Sequence, residues 1–235
     1  MPKLNRLLVL DNLRGIAFIF MIIHHIFYFY DASNGYKTNL SDNIFVDTSG
    51  FIARNLFILL TGYSLITAYN NKKEHFYNKR LQKSLLILLH GMLITLVTYY
   101  FYPTYFIKFG VLHFIAVATF ILSFIVPYPK LYIIILLISL FYKPPILNNF
   151  IDIISGSSPG YMMMDWFSLS KWMPLMIAGM IVGNKINLED IPVLQFLKIN
   201  NILTYLGENS LNLYTIHVIG LILFYEYIKY LKHKI

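Results

Sequence analysis

The sequence contains no cysteine in 235 residues. Disulfides, thiolate nucleophiles and cysteine-ligated metals are therefore excluded. Charge is also scarce: Asp, Glu, Lys and Arg make up 13% of the chain, against about 25% in a soluble domain. Several signatures of chemistry are missing. There is no HExxH and no i, i+4 histidine pair, and adjacent histidines diverge on a helix, so no metal is expected. Gly156-Ser157-Ser158-Pro159-Gly160 has the GxSxG spacing, but it lies in a Pro- and Gly-rich stretch rather than at a strand-to-helix elbow, so no serine hydrolase is expected. No P-loop or GxGxxG points to a nucleotide fold, and no internal repeat is visible.

What remains is apolar. The chain is 57% hydrophobic and 17% aromatic, with a mean hydropathy of +0.61. Apolar segments lie near 8–30, 50–70, 84–102, 111–127, 130–143, 171–184 and 209–229. In lipid the backbone must satisfy its own polar groups, so these segments predict helices. The expected fold is all-α, a polytopic transmembrane bundle of about seven spans forming one integral-membrane domain over 1–235. The fifth segment is short for a span, which needs about 20 residues. Lys3 and Arg6 before an apolar run resemble a signal peptide. Asp11 and Arg14 interrupt that run and no small-residue cleavage site follows, so a retained first helix is expected.

The net charge of +8 does not predict nucleic-acid binding. The basic residues gather between apolar runs, above all Lys72, Lys73, Lys79, Arg80 and Lys83. That pattern follows the positive-inside rule. It predicts a cytoplasmic N-terminus and a cytoplasmic loop 71–83. The loop 31–49, with Lys37 against Asp31, Asp42 and Asp47, is expected outside. So is an irregular loop 144–170, with Pro144-Pro145, Gly156, Pro159 and Gly160. Phe27-Tyr28-Phe29-Tyr30 suits an interfacial aromatic belt there. The basic tail Lys229, Lys232, His233 and Lys234 conflicts with this scheme, because seven spans place it outside. Six or eight spans, or orientation by the loop 71–83 alone, resolve the conflict.

Ionisable groups inside the apolar helices carry the functional signal, because lipid makes them costly. At about 100° per residue, Asp11, Arg14, Phe18, Met21 and His25 share one stripe of the first helix, and His24 points off it. Asp11 and Arg14 are i, i+3 neighbours able to pair. Arg14 and His25 are separated by roughly 16 Å of helix. By the predicted topology His24, His25, Arg54, Asn55, His113 and Asp165 form an outer-leaflet cluster. A histidine with an orienting carboxylate can perform acid–base work there. His90 and His217 lie deeper and read first as helix-to-helix hydrogen-bond partners. In Gly207-Glu208-Asn209-Ser210-Leu211, Asn209 or Ser210 is expected to cap a helix, with Glu208 at its positive end.

Four stretches carry a resemblance. Asp11-x-x-Arg14-Gly15-Ile16-Ala17, followed by Met21 and His25, is the first. Arg54-Asn55-Leu56-Phe57-Ile58-Leu59-Leu60-Thr61-Gly62-Tyr63-Ser64-Leu65 is the second. Phe109-Gly110-Val111-Leu112-His113-Phe114-Ile115 is the third, and Leu206-Gly207-Glu208-Asn209-Ser210-Leu211-Asn212-Leu213-Tyr214-Thr215-Ile216-His217 the fourth. In this order they resemble the heparan-alpha-glucosaminide N-acetyltransferase catalytic-domain family, which is grouped with the wider membrane acyltransferases, including acyltransferase family 3. A fifth stretch, from Asp165-Trp166-Phe167-Ser168-Leu169-Ser170-Lys171-Trp172 to Gly179, is similar but has Ser168 and Lys171 where prolines are usual. The loop Asp31-Ala32-Ser33-Asn34-Gly35 lacks the histidine implicated in acetyl transfer in the eukaryotic branch.

The resemblance implies transfer of an acyl group from cytosolic acetyl-CoA or another acyl-CoA to an amine or hydroxyl of a sugar or glycan across the bilayer. It implies a donor site near Asp11, Arg14, Arg54, Lys79 and Arg80. It implies a base among His25, His113 and His24, with Asp165 orienting it. Direct transfer by a base, without an acyl-histidine, suits the missing loop histidine. The rival class is a proton-coupled transporter or flippase-like protein, which also uses intramembrane His, Asp and Arg. Paired broken helices and repeat symmetry, which would favour it, are not seen in the sequence. Oligomeric state is open, a homodimer included.

Overall fold

The computed structural model describes residues 7–35, 37–71, 73–147, 150–156, 163–199, 201–232 and 234. Among them every regular element is helical, apart from one isolated parallel bridge between Phe109 and Trp166. All seven apolar segments form helices: α1 (Leu8–Ser33), α2 (Ile44–Asn71), α3 (Phe76–Phe101), α4 (Val111–Ser123), α5 (Lys130–Phe141), α7 (Leu169–Lys185) and α9 (Ser210–Lys232). Two short helices, α6 (Phe150–Ser155) and α8 (Asn201–Glu208), precede α7 and α9.

Length supports four of the seven expected spans. Among the described residues four helices, α1, α2, α3 and α9, are long and apolar enough to cross a bilayer. The shortest of them, α9, has 23 residues, about 35 Å of helix, against a hydrocarbon core of about 30 Å. The 13 residues of α4 and 12 of α5 reach only about 18–20 Å. With 17 residues, α7 reaches about 26 Å. Exposed apolar side chains cover α3 (Leu85, Leu89, Leu96) and α5 (Ile134, Ile138, Phe141). Such patches are rare on water-facing proteins and normal against lipid.

Two loops are shorter than expected. α2 ends at Asn71 and α3 begins at Phe76, so Lys79, Arg80 and Lys83 lie on the first turns of α3 rather than in a loop. Lys and Arg are good helix formers, and their long stems carry the charge outward from a helix end. The loop expected over 31–49 is confined to residues 34–43. Part of the loop 144–170 is α6. Lys3, Arg6, Lys72, Pro159, Gly160 and His233 lie outside the described residues.

The chain divides into two compact units, residues 1–57 with 187–235, and residues 58–186. α2 contributes its first half to one and its second half to the other.

In the first unit α8 runs antiparallel to α1. Gly15 lies against the Leu203 carbonyl and Gly207 against the Asp11 carbonyl, so a Cβ at either glycine would collide with backbone. Small residues allow this approach. Between them Asn12 Nδ2 donates to Thr204 Oγ1 at 3.0 Å. The chain then turns at Asn209, whose side-chain amide donates to the Tyr205 carbonyl at 2.9 Å and so finishes α8. α9 returns parallel to α1: Phe18 meets His217 and Tyr30 meets Tyr225. The basic tail thus lies at the end of this unit that carries the Asp31 loop. There buried Asp31 accepts hydrogen bonds from the Thr38 hydroxyl and from Ser41 N and Oγ, the last two at 2.7 Å.

In the second unit α3 packs on α4, and α5 on α7. Gly62 lies against the Met176 carbonyl and Gly179 against the Leu59 carbonyl, so the second half of α2 and α7 also meet backbone to backbone. The segments 105–109 and 164–167 are tied by Met164 N–H to Tyr105 O at 2.7 Å and Phe167 N–H to Phe109 O at 3.0 Å. Ser168 begins α7 with φ −69° and accepts from Trp172 N–H at 3.2 Å. That φ is the value proline imposes. Residue 168 thus has a φ that a proline could also adopt.

Candidate active site

The stripe on α1 faces α8 and α9. Asp11, Phe18 and Met21 are buried, while Arg14 and His25 are half-buried. The i, i+3 pair forms: Arg14 Nη1 donates to Asp11 Oδ1 at 3.0 Å. An acidic residue in the first turn also suits the positive end of the helix dipole. The first turn is held from a distance, because Glu189 Oε1 accepts from Val9 N–H at 2.9 Å. Sequence reasoning missed Glu189, since nothing local connects it to residue 9.

At the other end of the stripe His25 Nδ1 lies 2.8 Å from His217 Nε2. The ring planes are 17° apart and the centroids 5.1 Å apart. The nitrogen-to-nitrogen separation is much shorter than the centroid separation, so the rings meet edge to edge. His217 is held in turn by its own helix, with Nδ1 3.0 Å from the Leu213 carbonyl. Phe18 and Tyr214 set their rings edge-on to His217 at 5.3 Å each, and Tyr214 also packs edge-on against His25. The expected helix-to-helix role of His217 is found, and its partner is the histidine singled out on α1. The missed signal was the i, i+3 spacing of Tyr214 and His217, which puts both on one face of α9.

His24 points elsewhere, as the wheel predicts. Its Nδ1 lies 3.2 Å from the Val46 carbonyl, and Gly50 leaves the room that its ring occupies. Arg54 stands one turn beyond Gly50, near enough for its charge and that of Asp47 to act on His24. The Arg54 guanidinium lies over the Phe51 ring at 5.6 Å, and its buried Nε has no hydrogen-bond partner. Asn55 donates to the Phe51 carbonyl of its own helix at 2.7 Å.

His113 and Asp165 belong to the second unit and converge on the start of α4. Gly110 N–H donates to His113 Nδ1 at 3.3 Å. His113 Nε2 faces Thr95 Oγ1 at 3.4 Å, and that hydroxyl donates to the Ile107 carbonyl at 2.8 Å. Both ring nitrogens of this buried histidine are thus engaged. Gly91 leaves space for the ring. Asp165 Oδ2 accepts from Val111 N–H at 3.4 Å, a favourable place for a carboxylate at a helix N-terminus. Lys79 is exposed and Arg80 half-buried on α3, the latter over the Phe76 ring at 5.9 Å. Among the described residues no group of three or more His, Asp or Glu could hold a metal.

The arrangement in the first unit is suited to base chemistry. It has a half-buried imidazole held by a second imidazole and an ionic pair about 16 Å along the same helix. No curated protein and no solved structure matches the chain. The family described as heparan-alpha-glucosaminide N-acetyltransferase, catalytic, matches residues 6–219. That span includes both ends of the α1 stripe together with Gly207, Tyr214 and His217. The chain therefore belongs to this family of membrane acetyltransferases.

Proposed function

We propose that the protein transfers an acyl group from a cytosolic acyl-CoA, acetyl-CoA being the leading donor, to an amine or hydroxyl of a sugar or glycan on the opposite side of the bilayer. The observation that carries this reading is the meeting of His25 with His217 and Tyr214. It joins the first and last family-like stretches of the chain in one unit.

In this reading His25 is the general base. It takes the proton of the acceptor O–H or N–H as that atom attacks the thioester carbonyl. A C–O or C–N bond forms and the C–S bond breaks. The proton passes to the departing thiolate, which leaves as the CoA thiol. Direct transfer needs no acyl-histidine and agrees with a loop 31–35 that has no histidine. Arg14, held by Asp11, receives the phosphate end of the donor. An extended pantetheine arm covers the distance along α1 from Arg14 to His25. Arg54, beside His24, supplies positive charge to the carbonyl oxygen as it becomes anionic. His24 lines this end of the unit. His113 and Asp165 hold the start of α4, and Lys79 and Arg80 form the basic end of α3.

The test uses the protein in liposomes, with acetyl-CoA on one side and a glucosamine-terminated glycan on the other. Release of CoA thiol and acetylated glycan are measured together. Acceptor-dependent release that is lost in His25→Ala supports the reading. Undiminished turnover in His25→Ala, or glycan movement without any CoA, overturns it.

A further inference from the structure

We infer that His217 is the positioning residue of His25: it accepts the His25 Nδ1–H and so leaves Nε2 of His25 as the basic nitrogen. The inference rests on the reading of His25 as a base and adds the group that sets its tautomer.

The argument follows from donors and acceptors. A carbonyl oxygen can only accept, so His217 Nδ1, 3.0 Å from Leu213 O, carries a hydrogen. A neutral imidazole has one N–H, which makes Nε2 of His217 the lone-pair nitrogen. That nitrogen lies 2.8 Å from His25 Nδ1. The contact is a hydrogen bond only if His25 Nδ1 donates. The remaining nitrogen of His25, Nε2, then has the free lone pair.

The hydrogens are thus ordered along a relay from Leu213 O through His217 to His25. A ring in free rotation would divide its hydrogen between the two nitrogens. When His25 Nε2 accepts the acceptor's proton, the new charge on His25 is drawn toward the His217 lone pair through the shared Nδ1–H. An aspartate plays the corresponding part in serine hydrolases. Here a neutral acceptor does so, which avoids a permanent charge among apolar helices. Packing holds the geometry as well. Phe18 and Tyr214 both stand edge-on to the His217 ring. Tyr214 and Phe29 do the same for His25.

The test is solid-state NMR of the protein in lipid bilayers with 15N-labelled histidine, combined with steady-state acetyl transfer. The variants are His217→Phe, His217→Gln and His25→Ala. In the unmodified protein both His25 and His217 are expected as Nδ1–H tautomers, with a correlation from the His25 Nδ1 proton to His217 Nε2. His217→Phe removes the acceptor. His25 then becomes a mixture of tautomers and kcat falls about a hundredfold, the low end of what general-base catalysis contributes, with KM for the donor little changed. His217→Gln offers an amide oxygen to Nδ1–H and restores the tautomer with part of kcat. The inference is overturned if His25 is the Nε2–H tautomer in the unmodified protein, or if its tautomer is unaltered in His217→Phe. Unimpaired turnover in His25→Ala overturns the proposed function instead, so the two failures are distinct.

Discussion

His25 and His217 are 192 residues apart in sequence and 2.8 Å apart in space. The contact joins the helix that opens the family-like pattern to the helix that closes it. At the other end of the pattern α1 is locked to α8 instead, where Gly207, one residue before the end of α8, sits on the Asp11 carbonyl. The two stretches are halves of one structure.

That structure separates the histidines by role. His25→Ala is expected to reduce acetyl transfer by about 10²- to 10⁴-fold, the range of general acid–base catalysis, with a smaller fall in melting temperature than His113→Ala, because His25 is half-buried and His113 buried. His113→Ala removes the acceptor of Gly110 N–H and the neighbour of Thr95. It is expected to cost about 1–3 kcal/mol of stability, visible as a lower melting temperature. Equal melting temperatures for the two variants would contradict this division.

The glycine contacts predict a position-dependent series. In Gly15→Ala and Gly207→Ala the added Cβ meets the backbone of the facing helix, and each is expected to destabilise by about 1–3 kcal/mol. Gly220 has nothing within 4 Å of its Cβ position. Gly220→Ala is expected to stabilise α9 by roughly 0.5–1 kcal/mol through lower backbone entropy. Thermal unfolding of the three variants in one detergent checks the order.

Breaking the ionic pair is expected to be asymmetric. Asp11 is buried and the Arg14 side chain is 26% exposed. Arg14→Ala removes the Nη1 donor from a buried carboxylate and is expected to cost about 3 kcal/mol, the low end for buried pairs because Arg14 still reaches solvent. Asp11→Asn leaves Arg14 partly solvated and should cost less. The double variant should be more stable than Arg14→Ala alone. A double-mutant cycle by chemical denaturation measures the difference.

Ser168→Pro is expected to be tolerated. The native φ of −69° suits proline, and the buried Ser168 hydroxyl has no hydrogen-bond partner. A gain of about 0.4–1 kcal/mol is expected from a stiffer unfolded chain. A lower melting temperature in this variant would show that the backbone before residue 168 resists the change.

Local physics made much of this legible in the sequence. Seven apolar segments read as seven helices, because lipid-compatible composition and backbone self-satisfaction are local properties. The Asp11–Arg14 pair and the direction of His24 away from the stripe follow from 3.6 residues per turn. The span count did not follow so directly. Apolar runs at 111–127 and 130–143 extend beyond the helices they contain, since Phe124–Pro129 turns and Tyr142 is extended. The loop 71–83 was misjudged because a charged helix end and a charged loop have the same composition.

By itself the sequence determined the class of the protein, its helices, the face of α1 that carries ionisable groups and its family-like stretches. Each depends on neighbours within a few turns. Only the tertiary structure decided that His25 has His217 as its partner, that Glu189 holds the start of α1, and that both nitrogens of His113 are engaged in its own unit. Those facts depend on hydrogen-bond geometry between chain segments up to 192 residues apart. Helical periodicity gives the face on which a side chain lies, and packing alone selects the group that meets it.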